Sequence, residues 1–301
     1  MTAYTQISAN RFKTWLIMFG FAVFITALAY SFTVALGLKG PSALGFSGIA
    51  LILAGIMNFA SYYTSDKLVM AISGAKQIEK KDNPTLFRTV ENLCIASGLP
   101  MPKIYIIGDT APNAFATGRD PKHAAIAFTT GILEKLDKLE LEGVTAHELS
   151  HVGNYDTRLM TLVSILVGTV ALLADFFLRI SWRTDRDSDN RGNQLFMIIG
   201  IVMAILAPFI AIMIQLAISR KREFLADAAG ALLTRHPDGL AEALLKISAD
   251  REPLEVANKA TAHLYIVNPL KNHKDAVGWF AGLFNTHPPI QERVKRLRLM
   301  Q

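Results

Sequence analysis

The chain has 301 residues, and 51% of them are hydrophobic, a share above that of ordinary soluble domains. Its formal net charge is +6, but no basic stretch is interleaved with aromatic residues, so the sequence gives no sign of a nucleic-acid-binding surface. The single cysteine, Cys94, excludes an intrachain disulfide and a cluster of thiolate metal ligands. This composition favours a protein that is embedded in a membrane.

Two apolar runs dominate the first 63 residues. Residues 15–37 carry no charged side chain and are long enough to cross the hydrocarbon core of a bilayer as a helix. The run is too long for the apolar core of a signal peptide, which favours an uncleaved anchor. A second run, residues 44–63, ends in an aromatic pair typical of a membrane interface. We therefore predict a transmembrane hairpin over residues 1–63.

The composition turns polar over residues 64–158, which predicts the first part of a soluble domain. Asn83 followed by Pro84 predicts the start of a helix that Gly98 ends. The elements predicted next are a strand over 103–107, a hairpin formed by 112–118 and 123–128, and a helix over 130–136.

The sequence His-Glu-Leu-Ser-His at residues 147–151 lies in an apolar-periodic segment without proline. On a helix, His147 and His151 lie on one face and can bind one metal ion together. Glu148 is angled away from the ligand positions but lies close to the open fourth position of a tetrahedral zinc site. The motif therefore predicts two zinc ligands and a general base.

Two more membrane-length apolar runs follow, at residues 159–180 and 195–218. They predict a second transmembrane hairpin over 159–218, which leaves 219–301 as the second part of the soluble domain. The turn between the two runs carries three arginines, which is unusual for an external loop. Two arrangements of this pair therefore stay open, a full crossing and a buried or partly inserted hairpin.

Glu223 and Asp227 follow the last apolar run and lie four residues apart on a predicted helix. The pair can supply a third zinc ligand and a carboxylate that accepts the free N–H of a ligating histidine. The ligands must meet at one ion, so the chain between His151 and Glu223 crosses the membrane an even number of times or not at all. Most basic residues near the runs lie on the side of the metal domain, which predicts that this domain faces the cytoplasm.

Four motifs occur in the order of one known family: NAFATG at 113–118, HELSH at 147–151, EFLAD at 223–227 and THPPIQER at 286–293. With the apolar runs, they make the chain resemble the HtpX-type membrane zinc metalloproteases, bacterial and archaeal relatives of the CAAX prenyl proteases in the gluzincin clan. The resemblance implies a mainly α fold with a small β-sheet, in which a gluzincin-type protease domain is joined to four transmembrane helices.

The resemblance also implies roles for individual residues. One Zn²⁺ per chain would be bound by His147, His151 and Glu223, with Glu148 as the base and Asp227 behind a ligating histidine. Asn113, Ala114 and Phe115 would form an edge strand that pairs with extended substrate backbone. His287 and Arg293 would lie near the zinc, the first as a contact to the transition state and the second as a structural tether.

The function expected from this resemblance is that of a membrane-anchored zinc endopeptidase that cuts misfolded or damaged membrane proteins in quality control. Its expected place is the bacterial or archaeal cytoplasmic membrane, and its expected partners are polypeptides and the lipid bilayer. One alternative is a CAAX-type prenyl-peptide protease, although four short spans are few for a chamber that holds a lipid. Another is a non-catalytic zinc-binding scaffold or transporter, which is disfavoured by the presence of Glu148 and by the lack of paired intramembrane charges.

Overall fold

The computed structural model describes residues 3–35, 40–168, 220–256, 261–267, 269 and 288–300. Helices predominate in these ranges, and a small mixed sheet lies beside them. The predicted fold class, mainly α with a small β-sheet, is confirmed.

Helices α1 (Ala3–Ala35) and α2 (Pro41–Ile72) pack against each other. The side-chain amide of Asn58 donates a 3.1 Å hydrogen bond to the carbonyl of Met18 across their interface. Their outer faces expose large apolar side chains, among them Phe12, Trp15, Phe19, Phe46, Ile49, Ile52, Ile56 and Phe59. Such a surface is unfavourable in water and is suited to hydrocarbon.

One helix in the described ranges, Leu44–Ile72, is long and apolar enough to cross a membrane. Its mean hydropathy is 1.8, and only 22% of its most apolar window is buried, so it is not the core helix of a globular domain. Helix α1 covers most of the first predicted run. The number of four transmembrane helices is not confirmed by this structure.

The third predicted run, at 159–180, begins inside the protein and not in a lipid-facing position. Residues 159–168 are helical, and most of their side chains, including Leu159, Val163 and Leu166, are buried. Apolar composition alone does not separate burial in protein from burial in lipid, because both remove apolar surface from water. The remainder of this run and the whole run at 195–218 lie outside the described residues.

The sheet contains β1 (Lys76–Gln77), β2 (Lys103–Ile107), β3 (Ala114–Gly118) and β4 (Ala124–Thr129) in the order β1-β2-β4-β3. Strands β2 and β4 are parallel, whereas β1 pairs with β2 and β3 pairs with β4 in the antiparallel sense. The predicted hairpin is therefore confirmed, and β3 is an edge strand. Gly118 has φ +129°, and a Cβ there would lie 2.3 Å from the carbonyl oxygen of His123, so the hairpin requires glycine.

Helix α3 (Pro84–Ser97) has the predicted ends. The side chain of Asn83 accepts a hydrogen bond from the amide of Leu86, and Gly98 adopts the left-handed conformation that closes a helix. Helix α4 (Thr130–Lys135) follows the sheet, close to its predicted range.

Helix α5 (Lys138–Gly153) is buried along most of its length. Asp137 and Glu140 form a capping box at its start, in which each side chain accepts the other residue's backbone N–H. The elements that follow α5 are α6 over the described residues 156–168, α7 (Arg220–Thr234), α8 (Pro237–Ala249) and α9 (Ile290–Arg298). Helix α5 packs against α3, β3, α7 and α8 and so joins the sheet to the later helices.

Glycines allow these helices to approach α5 closely. A Cβ on Gly230 of α7 would lie 3.0 Å from the backbone nitrogen of His147, and a Cβ on Gly143 of α5 would lie 2.6 Å from the backbone nitrogen of Leu240. Both distances are shorter than ordinary van der Waals contact. The first of these contacts brings α7, and with it Glu223, against the histidine motif.

Candidate active site

The two histidines of α5 converge as their spacing predicts. His147 and His151 lie one turn apart, and their Nε2 atoms are 3.2 Å from each other. Their rings meet edge to face, with centroids 4.7 Å apart. Both side chains are buried, so the two nitrogens share one small space inside the protein.

Helix α7 brings Glu223 to the same space. Its carboxylate oxygens lie 3.4 Å from His151 Nε2 and 3.9 Å from His147 Nε2. Zinc binds nitrogen and oxygen ligands tetrahedrally at about 2.0–2.2 Å, which places the ligand atoms about 3.3–3.5 Å from one another. The separations of 3.2 and 3.4 Å are close to this spacing, the separation of 3.9 Å is longer, and the three residues form a group that could hold a metal.

The outer nitrogen of each histidine faces a carboxylate. His147 Nδ1 lies 3.0 Å from Asp227, and His151 Nδ1 lies 3.0 Å from Asp156. A carboxylate accepts and does not donate, so a neutral His151 ring carries its proton on Nδ1, toward Asp156, and has a lone pair on Nε2. With the two Nε2 atoms 3.2 Å apart, a metal ion held by both would take the place of a proton between them.

Asp227 is in turn held by Arg293 of α9. Arg293 Nε and Nη2 donate to the two oxygens of Asp227 at 2.9 and 2.7 Å, and its Nη1 donates to the carbonyl of Ile266 at 3.1 Å. Arg293 is fully buried. Arg293 Nη2 also lies 3.5 Å from His147 Nε2, and its Nη1 lies 3.8 Å from Glu223. The two predicted residues Asp227 and Arg293 therefore lie together beside His147, whereas His287 lies outside the described residues.

Asp156 was missed by the reasoning from sequence. It lies five residues after His151, at the start of α6, and is almost completely buried. The available signal was an acid little more than one turn beyond the histidine motif, directly before an apolar run. That signal is weak, because most acids near a helix end are exposed to solvent.

The two histidines differ in their affinity for a proton. Burial lowers the pKa of His147, although Asp227 opposes the shift. Burial acts in the same direction on His151, but the carboxylates of Asp156 and Glu223 outweigh it and raise its pKa to about 9. The surroundings of His151 therefore attract positive charge, either a proton or a metal ion.

Glu148 lies between the histidines and the sheet. The backbone amide of Ala116 in β3 lies close enough to its carboxylate to lower its pKa. Burial raises the pKa of Glu148 to about 7; His151 opposes this shift and Glu223 adds to it. A carboxyl group with such a pKa can gain or lose a proton near neutral pH.

The predicted edge strand is displaced along the chain. Strand β3 begins at Ala114, so Asn113 precedes it, and the Phe115 side chain is buried against Tyr265 with ring centroids 4.9 Å apart. The carbonyl of Ala114 accepts a 3.0 Å hydrogen bond from the amide of Ile266 in the same chain. The segment around Ile266 therefore already covers the edge of β3 at Ala114. Natural proteins often cover a sheet edge in this way, which keeps it from pairing with other chains.

Fold and site together define a metallopeptidase in which two helical histidines and a glutamate from a later helix surround one position, with an acidic residue between the histidines. The sequence profile of peptidase family M48 matches residues 80–301, and the chain belongs to that family.

Curated relatives agree with this assignment over nearly the whole chain. The Protease HtpX homolog of Dictyoglomus thermophilum is 44% identical and is aligned over 99% of this chain and 95% of its own length. The Protease HtpX homolog of Tropheryma whipplei strain Twist is 47% identical, over 99% and 98%. Among solved structures, S. mikatae Ste24p is similar with a TM-score of 0.49 at 19% identity, over 98% of this chain and 67% of that one. The predictions of a protease of this family and of a membrane metalloprotease activity are thus confirmed.

Proposed function

We propose that the protein is a zinc endopeptidase of the cytoplasmic membrane, with one Zn²⁺ per chain held by His147, His151 and Glu223. The observation that carries this proposal is the convergence of two imidazole nitrogens and the two oxygens of the Glu223 carboxylate, with separations of 3.2–3.9 Å between the residues. Zinc, when bound, supplies the Lewis acidity that peptide hydrolysis requires.

The remaining chemistry belongs to side chains around this position. Glu148 takes a proton from the attacking water and passes it to the leaving amine, because it lies next to both histidines and is not needed as a ligand. The amide of Ala116 favours the ionised form of its carboxylate. Asp227 and Asp156 hold the rings of His147 and His151 so that their Nε2 atoms could bind a metal ion.

We propose that the substrates are unfolded or damaged proteins, including membrane proteins, and that the site faces the cytoplasm. Strand β3 lies at the sheet edge and reaches Glu148 through Ala116, so an extended peptide that pairs beside Ala116 would bring its backbone to the site. Recognition by main-chain hydrogen bonds tolerates many sequences but requires an extended chain. Selectivity for extended chains suits a protease of quality control. The apolar helix Leu44–Ile72 supports a location at a membrane.

The test uses the full chain purified in detergent. Metal content is measured first, and hydrolysis of an unfolded soluble protein, of the same protein folded, and of a prenylated C-terminal peptide is then measured with and without a chelator. We expect about one zinc per chain and cleavage of the unfolded protein alone, which the chelator abolishes and added zinc restores. Cleavage of the prenylated peptide alone would support the CAAX-type alternative, and zinc without any hydrolysis would support the scaffold.

A further inference from the structure

Asp156 joins the metal site to a distant part of the chain. One of its oxygens, Oδ2, lies 3.0 Å from Nδ1 of His151. The other, Oδ1, accepts a 2.7 Å hydrogen bond from the side-chain amide of Asn10. The side chains of Asp156 and Asn10 are both about 1% exposed, so water does not compete for these contacts. Asn10 belongs to α1, the helix whose apolar continuation starts five residues later.

Asn10 makes two further contacts that fix its orientation. Its Nδ2 also donates to the carbonyl of Asn154 at 3.0 Å, in the turn between α5 and α6. Its Oδ1 accepts from Nη1 of Arg222 at 3.2 Å, and the same Nη1 lies 3.5 Å from Asp156 Oδ1. Arg222 is the direct neighbour of Glu223 on α7. Asn10 thus touches the turn that follows the helix of His147 and His151 and the direct neighbour of Glu223.

The two histidines are supported from different directions. His147 is backed by Asp227, whose partner Arg293 comes from α9 near the end of the chain. His151 is backed by Asp156, whose partner comes from α1 near its beginning. The residue behind His147 is held by α9, which packs against α7 and α8. The residue behind His151 is held by α1, so its position depends on how α1 docks near the start of α6.

We propose that Asn10 is a positioning residue for the metal site, which holds Asp156 against His151 and so makes metal affinity depend on the docking of α1. This inference rests on the proposed zinc function. Loss of a residue behind a ligating histidine typically lowers metal affinity or activity about 10–100-fold. Asn10 acts one step farther from the metal, so the expected loss for its removal is about 10-fold, at the lower end of that range.

The test compares Asn10→Leu with Thr14→Val in the full chain in detergent. Leucine has the branched outline of asparagine but removes its hydrogen bonds. Thr14 is also buried, one turn later on α1, and within the described ranges its hydroxyl bonds only to the carbonyl of Asn10 in its own helix, so it controls for any effect of altering this helix. Zinc affinity is measured by competition with a chromophoric chelator, and the geometry of the site by the visible absorption of the Co²⁺-loaded protein. Neither readout requires hydrolysis.

We expect Asn10→Leu to lower zinc affinity about 10-fold and to change the Co²⁺ spectrum, while Thr14→Val does neither. Asp156→Asn should lower the affinity by about 10–100-fold, and the double variant should match Asp156→Asn alone, because both changes interrupt one connection. Equal affinities of Asn10→Leu and the wild type, or additive losses in the double variant, would overturn the inference. If Asn10→Leu does not fold, Asn10→Ala removes the same hydrogen bonds and takes its place.

If the proposed zinc function itself is wrong, the measurements give a different result. A wild-type protein that binds no zinc would contradict the proposed function itself. A wild type that binds zinc tightly, together with an unaffected Asn10→Leu, would contradict only the role of Asn10.

Discussion

Arg293 donates two parallel hydrogen bonds, of 2.9 and 2.7 Å, to the carboxylate of Asp227 across 66 residues of sequence. Both side chains are buried, so each charge depends on the other for compensation. Because Asp227 also faces His147, the pair connects the packing of the C-terminal helix to the orientation of a proposed metal ligand.

Removal of Arg293 should therefore affect stability and metal binding together. Arg293→Met leaves the carboxylate of Asp227 buried without its partner, and we expect the free energy of unfolding to fall by about 3–5 kcal/mol. Denaturant titration in detergent and chelator competition would measure the two effects. Arg298→Met on the same helix is the matched control, since its 2.7 Å pair with Glu242 is half exposed and should contribute at most about 1 kcal/mol. Similar losses in both variants would contradict a special role for Arg293.

Glu148 should be required for the reaction and dispensable for the metal. Glu148→Gln keeps the size of the side chain but removes the base, so we expect peptide hydrolysis to fall by about 10²–10⁴-fold or more while zinc content stays at the wild-type level. Glu142→Gln, on the same helix but near the surface, should retain full activity. If Glu148→Gln lost both zinc and activity, Glu148 would be a residue required for metal binding and not the general base.

The close approach of α7 to α5 should be sensitive at Gly230. A Cβ at this position would lie 3.0–3.3 Å from backbone atoms of Ala146 and His147. The larger side chain of Gly230→Val must therefore push the two helices apart. We expect a loss of about 1–3 kcal/mol in stability and weaker zinc binding, because Glu223 moves with α7. Gly153→Ala is the control, since a Cβ there meets only side-chain atoms of Leu99 at 3.6 Å. Unchanged zinc affinity in Gly230→Val would show that the site tolerates this displacement.

Cys94 should react slowly while the protein is folded. Burial raises the pKa of its thiol from 9.0 to about 11. At pH 8 the reactive thiolate is then about 100-fold scarcer than in the unfolded chain, and burial also blocks access. Labelling by a thiol reagent at pH 8 should thus follow unfolding in denaturant. Rapid labelling without denaturant would place Cys94 at an accessible position.

Short-range features of this protein could be predicted from its sequence. The spacing of His147 and His151 determines a shared helix face, because one helical turn is local geometry. Asn83 and Gly98 mark the two ends of α3 for the same reason, since caps act within a few residues. The hairpin of β3 and β4 followed from two apolar stretches around a turn.

Tertiary structure decided what the sequence left open. The contact between Asp156 and Asn10 spans 146 residues, and no periodicity or spacing rule reaches that far. The pairing of Ala114 with Ile266 likewise covers part of the strand that the sequence assigned to substrate, because the chain itself supplies the partner. Residues 159–168 read as the start of a membrane span but are buried in protein, since hydropathy measures transfer out of water and not the identity of the new surroundings. Local chemistry thus selects the residues of the candidate site, and long-range packing decides which neighbours hold them in place.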